Sequence, residues 1–138
     1  MMNYFLIIYI FNDFAILLMR IILGLIFIFH GLPKLKNLSQ TKVNFKSLGF
    51  WPSWFWAPVV SILEFFGGLM ILCGFYIQIP IILLITQFVV ILIWKAINFK
   101  NHKFVGEIDF DLLILAALAV LLTQNSHLFA LDRFLFLH

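Results

Sequence analysis

Four apolar runs divide the chain: Phe14 to Leu32, Ala57 to Phe75, Ile79 to Ile97, and Asp109 to Thr123. Each approaches the ~20 residues that a membrane-crossing helix needs. Val, Ile and Phe are abundant, but the runs do not alternate apolar and polar as the ten-residue strands of a closed barrel must. Helices are the other way to satisfy backbone groups in lipid. The pattern therefore predicts an all-α, four-transmembrane-helix bundle with approximate spans 14–32, 57–75, 79–97 and 109–123. A further apolar stretch, "YFLIIYIF" at 4–11, precedes "ND" at 12–13. Asn12 and Asp13 sit badly in hydrocarbon, so a break in the helix is expected there.

The connections differ in length. "YIQIP" (76–80) reads as a tight hairpin. The first long connection contains "SQTKVNFKSLG" (39–49), a short interfacial helix with Ser39 as N-cap and Gly49 at its end. Trp51, Trp54 and Trp56 follow, as in the aromatic belt at headgroup level. The second long connection is "FKNHKFVGEIDFD" (99–111). Four spans put both long connections on one side and both termini on the other. Lys34, Lys36, Lys42, Lys46, Lys95, Lys100 and Lys103 all fall on the loop side, against Arg133 opposite. The Lys/Arg excess predicts cytoplasmic long loops and outside termini, in what is expected to be a bacterial inner membrane. Residues 1–138 read as one domain.

Composition sharpens this picture. The chain is 64% hydrophobic and 11% charged, where soluble domains carry roughly 25% charged residues. Too little polar surface exists to cover a water-soluble fold, so the bilayer is the expected solvent and first partner. The net charge of +3 comes from loop lysines rather than one basic face, and no nucleic-acid partner is expected. Cys73 is the single cysteine, which excludes an intramolecular disulfide or CxxC centre. The first residues lack a positive n-region and a small-residue cleavage site, and are expected to stay on the mature chain.

The remaining chemistry lies in polar residues inside the spans. Arg20, Gly24, Phe27, Gly31 and Lys34 recur at helical spacing. Glu64, Gly67, Gly68 and Ile71 form a second stripe. Gly24, Gly31, Gly67 and Gly68 read as notches that let helices approach. Arg20, His30, Glu64 and Gln87 define a candidate intramembrane polar pocket, or else a clasp fixing which helices pack. By the ~1.5 Å rise, Arg20 and Glu64 differ in depth by about 10 Å, which an extended Arg nearly covers. Lys34, Glu107 and Asp111 form a candidate polar cluster at the cytoplasmic end. The histidines, at 30, 102, 127 and 138, do not share a depth, so no metal site is expected. There is no phosphate-binding glycine motif and no nucleophile–base–orienter set, and the catalytic residues, if any, are unassigned.

Taken in order, "RIILGLIFIFHGLPKL" (20–35), "LGFWPSWFWAP" (48–58), "LEFFGGLMILCGF" (63–75), "GEIDFDLLILAALAVLL" (106–122) and "ALDRFL" (130–135) resemble the DoxX family of small four-helix membrane proteins. The resemblance spans about 14 to 135. It departs at "TQNSHLF" (123–129), where the family often has a glycine-containing turn. It implies an association with membrane redox systems, since the related DoxD group includes a subunit of a thiosulfate:quinone oxidoreductase and some members join thiol-stress complexes. The expectation is thus a non-catalytic subunit or partner of membrane or cytoplasmic oxidoreductase subunits, with quinone as the only cofactor in view and no enzyme activity of its own. A structural or assembly protein, a small-solute or proton transporter, and a homo-oligomer remain alternatives.

Overall fold

The computed structural model describes residues 2–98 and 104–124. His102, His127, His138, Lys100, Lys103, Arg133 and the "ALDRFL" segment lie outside them. Among the described residues five α-helices follow one another: α1 (Met2–Lys36), α2 (Leu38–Ser47), α3 (Ser53–Cys73), α4 (Gln78–Ile97) and α5 (Asp109–Thr123). The fold is an all-α membrane bundle built from α1, α3, α4 and α5. Three of these, α1, α3 and α4, are long and apolar enough to cross a bilayer.

The expected break at Asn12–Asp13 does not occur, since α1 runs unbroken through 35 residues. Breaking a helix frees four N–H and four C=O groups, which costs more among apolar side chains than tolerating two poor helix formers. Asn12 is exposed, while Asp13 is buried against the protein. Pro33 does not close the helix either. It lies one turn from the end, where its missing N–H forfeits a single bond, and its own carbonyl still accepts from Asn37 N at 3.1 Å.

The interfacial helix starts earlier than Ser39. Asn37 is its N-cap, and its side chain accepts from Gln40 N. The second span runs from Ser53 instead of Ala57, since Pro52 pre-sets the extended entry and Ser53 begins the helix. Gly74 ends α3 in the left-handed conformation (φ +72), which lets Gly74 N and Phe75 N both reach the Met70 carbonyl. The turn to α4 is then only residues 74–77.

The four long helices alternate in direction. α3 packs on α1 and α4, and α5 packs on α4 and α1. Leu23, Phe27, Ile71, Ile81, Leu84, Phe88, Ile114 and Leu118 fill the centre, with Phe27 and Phe88 edge to face at 5.8 Å. The outward faces are apolar too: Ile22, Phe29, Phe66, Ile82, Ile93 and Leu113 are all exposed, as a lipid-facing surface requires. Residues 3–12 of α1 are exposed throughout.

Candidate functional site

α1 and α3 are held together where glycines remove side chains. A Cβ on Gly24 would stand 2.8 Å from Leu72 Cβ, one on Gly68 2.8 Å from the Gly24 carbonyl, and one on Gly31 2.5 Å from Phe65 N. All three are backbone-level contacts. Gly67 faces the other way, toward α4, where a Cβ would find Leu84 Cδ1 and Pro80 Cβ at an ordinary 3.4 Å. The three α1–α3 contacts pair residue 24 with 68 and 31 with 65, and so fix an antiparallel register.

That register puts Lys34 opposite Glu64. Lys34 Nζ lies 2.6 Å from Glu64 Oε2, and Gln87 Nε2 donates to Glu64 Oε1 at 2.7 Å. Glu64 is only 4% exposed, so one carboxylate ties α1, α3 and α4 together in a region with little water to compete. An ionised carboxylate only accepts, so Gln87 must turn its NH₂ toward Glu64. Its own Oε1 is consequently left buried without a donor. A buried acceptor with no donor costs about 1–3 kcal/mol, and its nearest remedy is a ligand or water that brings one.

Of the four residues of the sequence-derived pocket, the structure brings Glu64 and Gln87 together. Arg20 lies elsewhere along α3: it is 3% exposed and its Nε donates to the Ile71 carbonyl at 3.3 Å. Ile71 is seven residues beyond Glu64, or about 10 Å by helical rise. His30 is on the outer surface of α1. Its Nδ1 donates to the Ile26 carbonyl at 2.7 Å, and its ring stacks on Phe110 at 6.3 Å. The Lys34–Glu107–Asp111 cluster is divided. Lys34 serves Glu64, while Asp111 takes Lys95 at 2.5 Å and so fastens α5 to α4. Glu107 is exposed in the kinked segment before α5.

Two groups escaped the sequence reading. The sequence groups Lys34 with Glu107 and Asp111, and only the glycine register shows that it faces Glu64. Asp13 is 8% exposed with Oδ1 lacking a hydrogen-bond partner, at the position read as a helix break. Between α1 and α5 a wholly apolar groove of about 330 Å³ opens sideways, lined by Met19, Ile22, Ile26, Phe110, Leu113 and Ile114 among others. Among the described residues no group of three or more His, Cys, Asp or Glu side chains stands close enough to hold a metal.

An apolar four-helix membrane bundle with an interhelical Lys–Glu–Gln cluster is a defined class of molecule, and sequence comparison identifies its family. The DoxX family model matches residues 15–96. A relative in Bacillus subtilis (strain 168), named "Putative oxidoreductase CatD", is 35% identical over 125 residues, covering 90% of this chain and 89% of that protein. No solved structure matches. The chain belongs to the DoxX family and is an integral membrane protein.

Proposed function

We propose that this DoxX protein is a non-catalytic membrane subunit of a redox complex, and that it receives a quinol head group beside Glu64. The observation that carries the reading is Gln87 Oε1, buried, without a donor, and fixed in that state by the Glu64 carboxylate. A quinol hydroxyl is a donor of the right kind for that oxygen. The oxidoreductase name of the Bacillus relative supports a redox setting, whether quinone-linked or thiol-linked. In this reading the lysine-rich connections face the cytoplasm of a bacterial inner membrane, in accord with the Lys/Arg bias.

A second reading rests on the same cluster. Both Glu64 oxygens are taken by protein donors from two other helices, so the cluster also serves a purely structural or assembly protein as a three-helix clasp. The two readings separate on purification in mild detergent from native membranes, with bound proteins identified by mass spectrometry and extracted lipid assayed for quinone. The redox-subunit reading expects a stoichiometric oxidoreductase partner, and quinone that disappears in Gln87→Leu while the melting temperature stays within a few degrees. A pure chain carrying bulk phospholipid alone, in native and variant forms, refutes it and leaves the clasp.

A further inference from the structure

The loop side of the bundle carries charge that the Glu64 cluster does not use. Lys34 and Lys95 are neutralised by Glu64 and Asp111. Among the described residues, Lys36, Lys42 and Lys46 have no carboxylate partner. The sequence contains no Asp or Glu from Phe14 to Leu63, so no residue near them in sequence offsets them.

These lysines are not on a loose connection. Thr41, on the inner face of α2, is buried, and its hydroxyl donates to the Asn37 carbonyl at 2.9 Å and lies 3.2 Å from that of Lys34. Phe45 packs on Phe50 at 5.7 Å, and Phe50 packs on Trp94 of α4 at 5.9 Å. α2 is therefore held directly against α3 and the end of α1, and through Phe50 against the end of α4. Lys42 and Lys46, four residues apart, share one side of it. On its outward side Val43 is 59% exposed, and Trp51 and Trp54 beyond it are 84% and 68% exposed. Apolar and indole surface on the same held segment as lysines that are unpaired among the described residues is the arrangement that meets acyl chains and headgroups at one level.

We propose that the segment around α2, with Lys36 at the end of α1, Lys42 and Lys46 on α2, and Trp51 and Trp54 after it, is a binding site for the phosphate headgroup of anionic phospholipid. Three lysines on one held segment, with no carboxylate partner among the described residues, complement a phosphodiester at a membrane surface, where each lysine adds a factor of about five in affinity. An acidic protein would answer the charge but has no use for the exposed indoles at headgroup depth. The inference is independent of the quinol reading, because it uses none of the residues around Glu64 except as places where other lysines are already neutralised.

The chain supplies its own probe: all four tryptophans, at 51, 54, 56 and 94, lie at this end of the bundle. The full chain is reconstituted into phosphatidylcholine bilayers doped with either phosphatidylglycerol or phosphatidylcholine carrying brominated chains, and tryptophan quenching is compared. The expected result is a preference for phosphatidylglycerol of at least about fivefold, which declines as salt rises and screens the headgroup charge. It should vanish in the triple variant Lys36→Gln/Lys42→Gln/Lys46→Gln. Equal quenching by the two lipids overturns the proposal, as does a preference that survives in the triple variant. If the triple variant fails to reconstitute, Lys46→Glu at the exposed end of α2 and the salt series on the native chain decide, and an unchanged preference in both overturns it. Equal quenching together with an acidic protein that co-purifies only with the native lysines assigns the surface to a protein and overturns the lipid site.

Discussion

Replacing Gly31 by Ala tests how far the α1–α3 contact is fixed by backbone. The new Cβ would lie 2.5 Å from Phe65 N and 2.9 Å from Phe65 Cα. Ordinary contact needs about 0.9 Å more, and neither atom can swing away as a side-chain tip could. The helices must separate, which weakens the Gly24–Gly68 approach and the Lys34–Glu64 pair on either side of the site. Overpacking against backbone falls at the upper end of about 1–3 kcal/mol, and Ala returns up to about 1 kcal/mol in helix propensity. A net loss of about 2 kcal/mol lowers the melting temperature by roughly 8 °C for a chain of this size. Gly67→Ala is the matched control. Its Cβ meets only the 3.4 Å contacts to Leu84 Cδ1 and Pro80 Cβ, so propensity decides and the variant should melt at or slightly above the native temperature. Melting of detergent-solubilised protein, followed by tryptophan fluorescence and by size exclusion after heating, measures both. Gly31→Ala melting with the native chain, or Gly67→Ala losing as much as Gly31→Ala, would refute the backbone-contact argument.

Three more outcomes follow from named contacts. Lys34→Gln should destabilise more than Glu64→Gln, because the Lys34 side chain is 33% exposed and can snorkel to water whereas Glu64 is 5% exposed and cannot. The expected costs are about 3 and about 1 kcal/mol, with the double variant recovering part of the loss; chemical unfolding in mixed micelles checks the order. Lys95→Gln and Asp111→Asn should each loosen α5 from α4, giving faster amide exchange in 109–123 than in α3. Gly106 has φ +93 and open space around its Cβ position, so Gly106→Ala should cost about 1–2 kcal/mol from backbone strain alone, visible as a lowered melting temperature with unchanged Lys95–Asp111 coupling in a double-mutant cycle.

Much of the architecture was legible because lipid allows few alternatives. Apolar runs located all four bundle helices, and α5 begins and ends at the expected Asp109 and Thr123, although its 15 residues fall short of the length of the other three. Helical rise alone put Arg20 and Glu64 about 10 Å apart in depth, and in the structure Arg20 reaches Ile71, two turns past Glu64. The continuity of α1 was not legible, since propensity at Asn12 and Asp13 says nothing about how costly free backbone groups are in an apolar setting. Nor was the partner of Glu64. Stripes on single helices give faces, but pairing across helices needs a register, and that is set by contacts such as Gly31 on Phe65 that no single-helix pattern contains. His30 shows the converse limit: its spacing from Phe27 and Lys34 fits an inward stripe loosely, yet a rotation of a fraction of a turn put it on the outside against Phe110.

The length of α1 has an effect on the lipid around the protein. Its 35 residues make about 52 Å of helix, against about 30 Å for the 20 or 21 residues of α3 and α4. Seen from the bilayer, the molecule has a step in its perimeter: acyl chains beside α1 meet a taller apolar wall than chains on the α3–α4 side. The membrane must thicken or the whole bundle lean at that one edge, at a fraction of a kcal/mol per Å of mismatch. Any neighbour with a matching step shortens the boundary along which lipid is deformed. The protein thus carries a directional bias for where it sits among other membrane proteins and in how thick a bilayer, before a single side chain touches a partner.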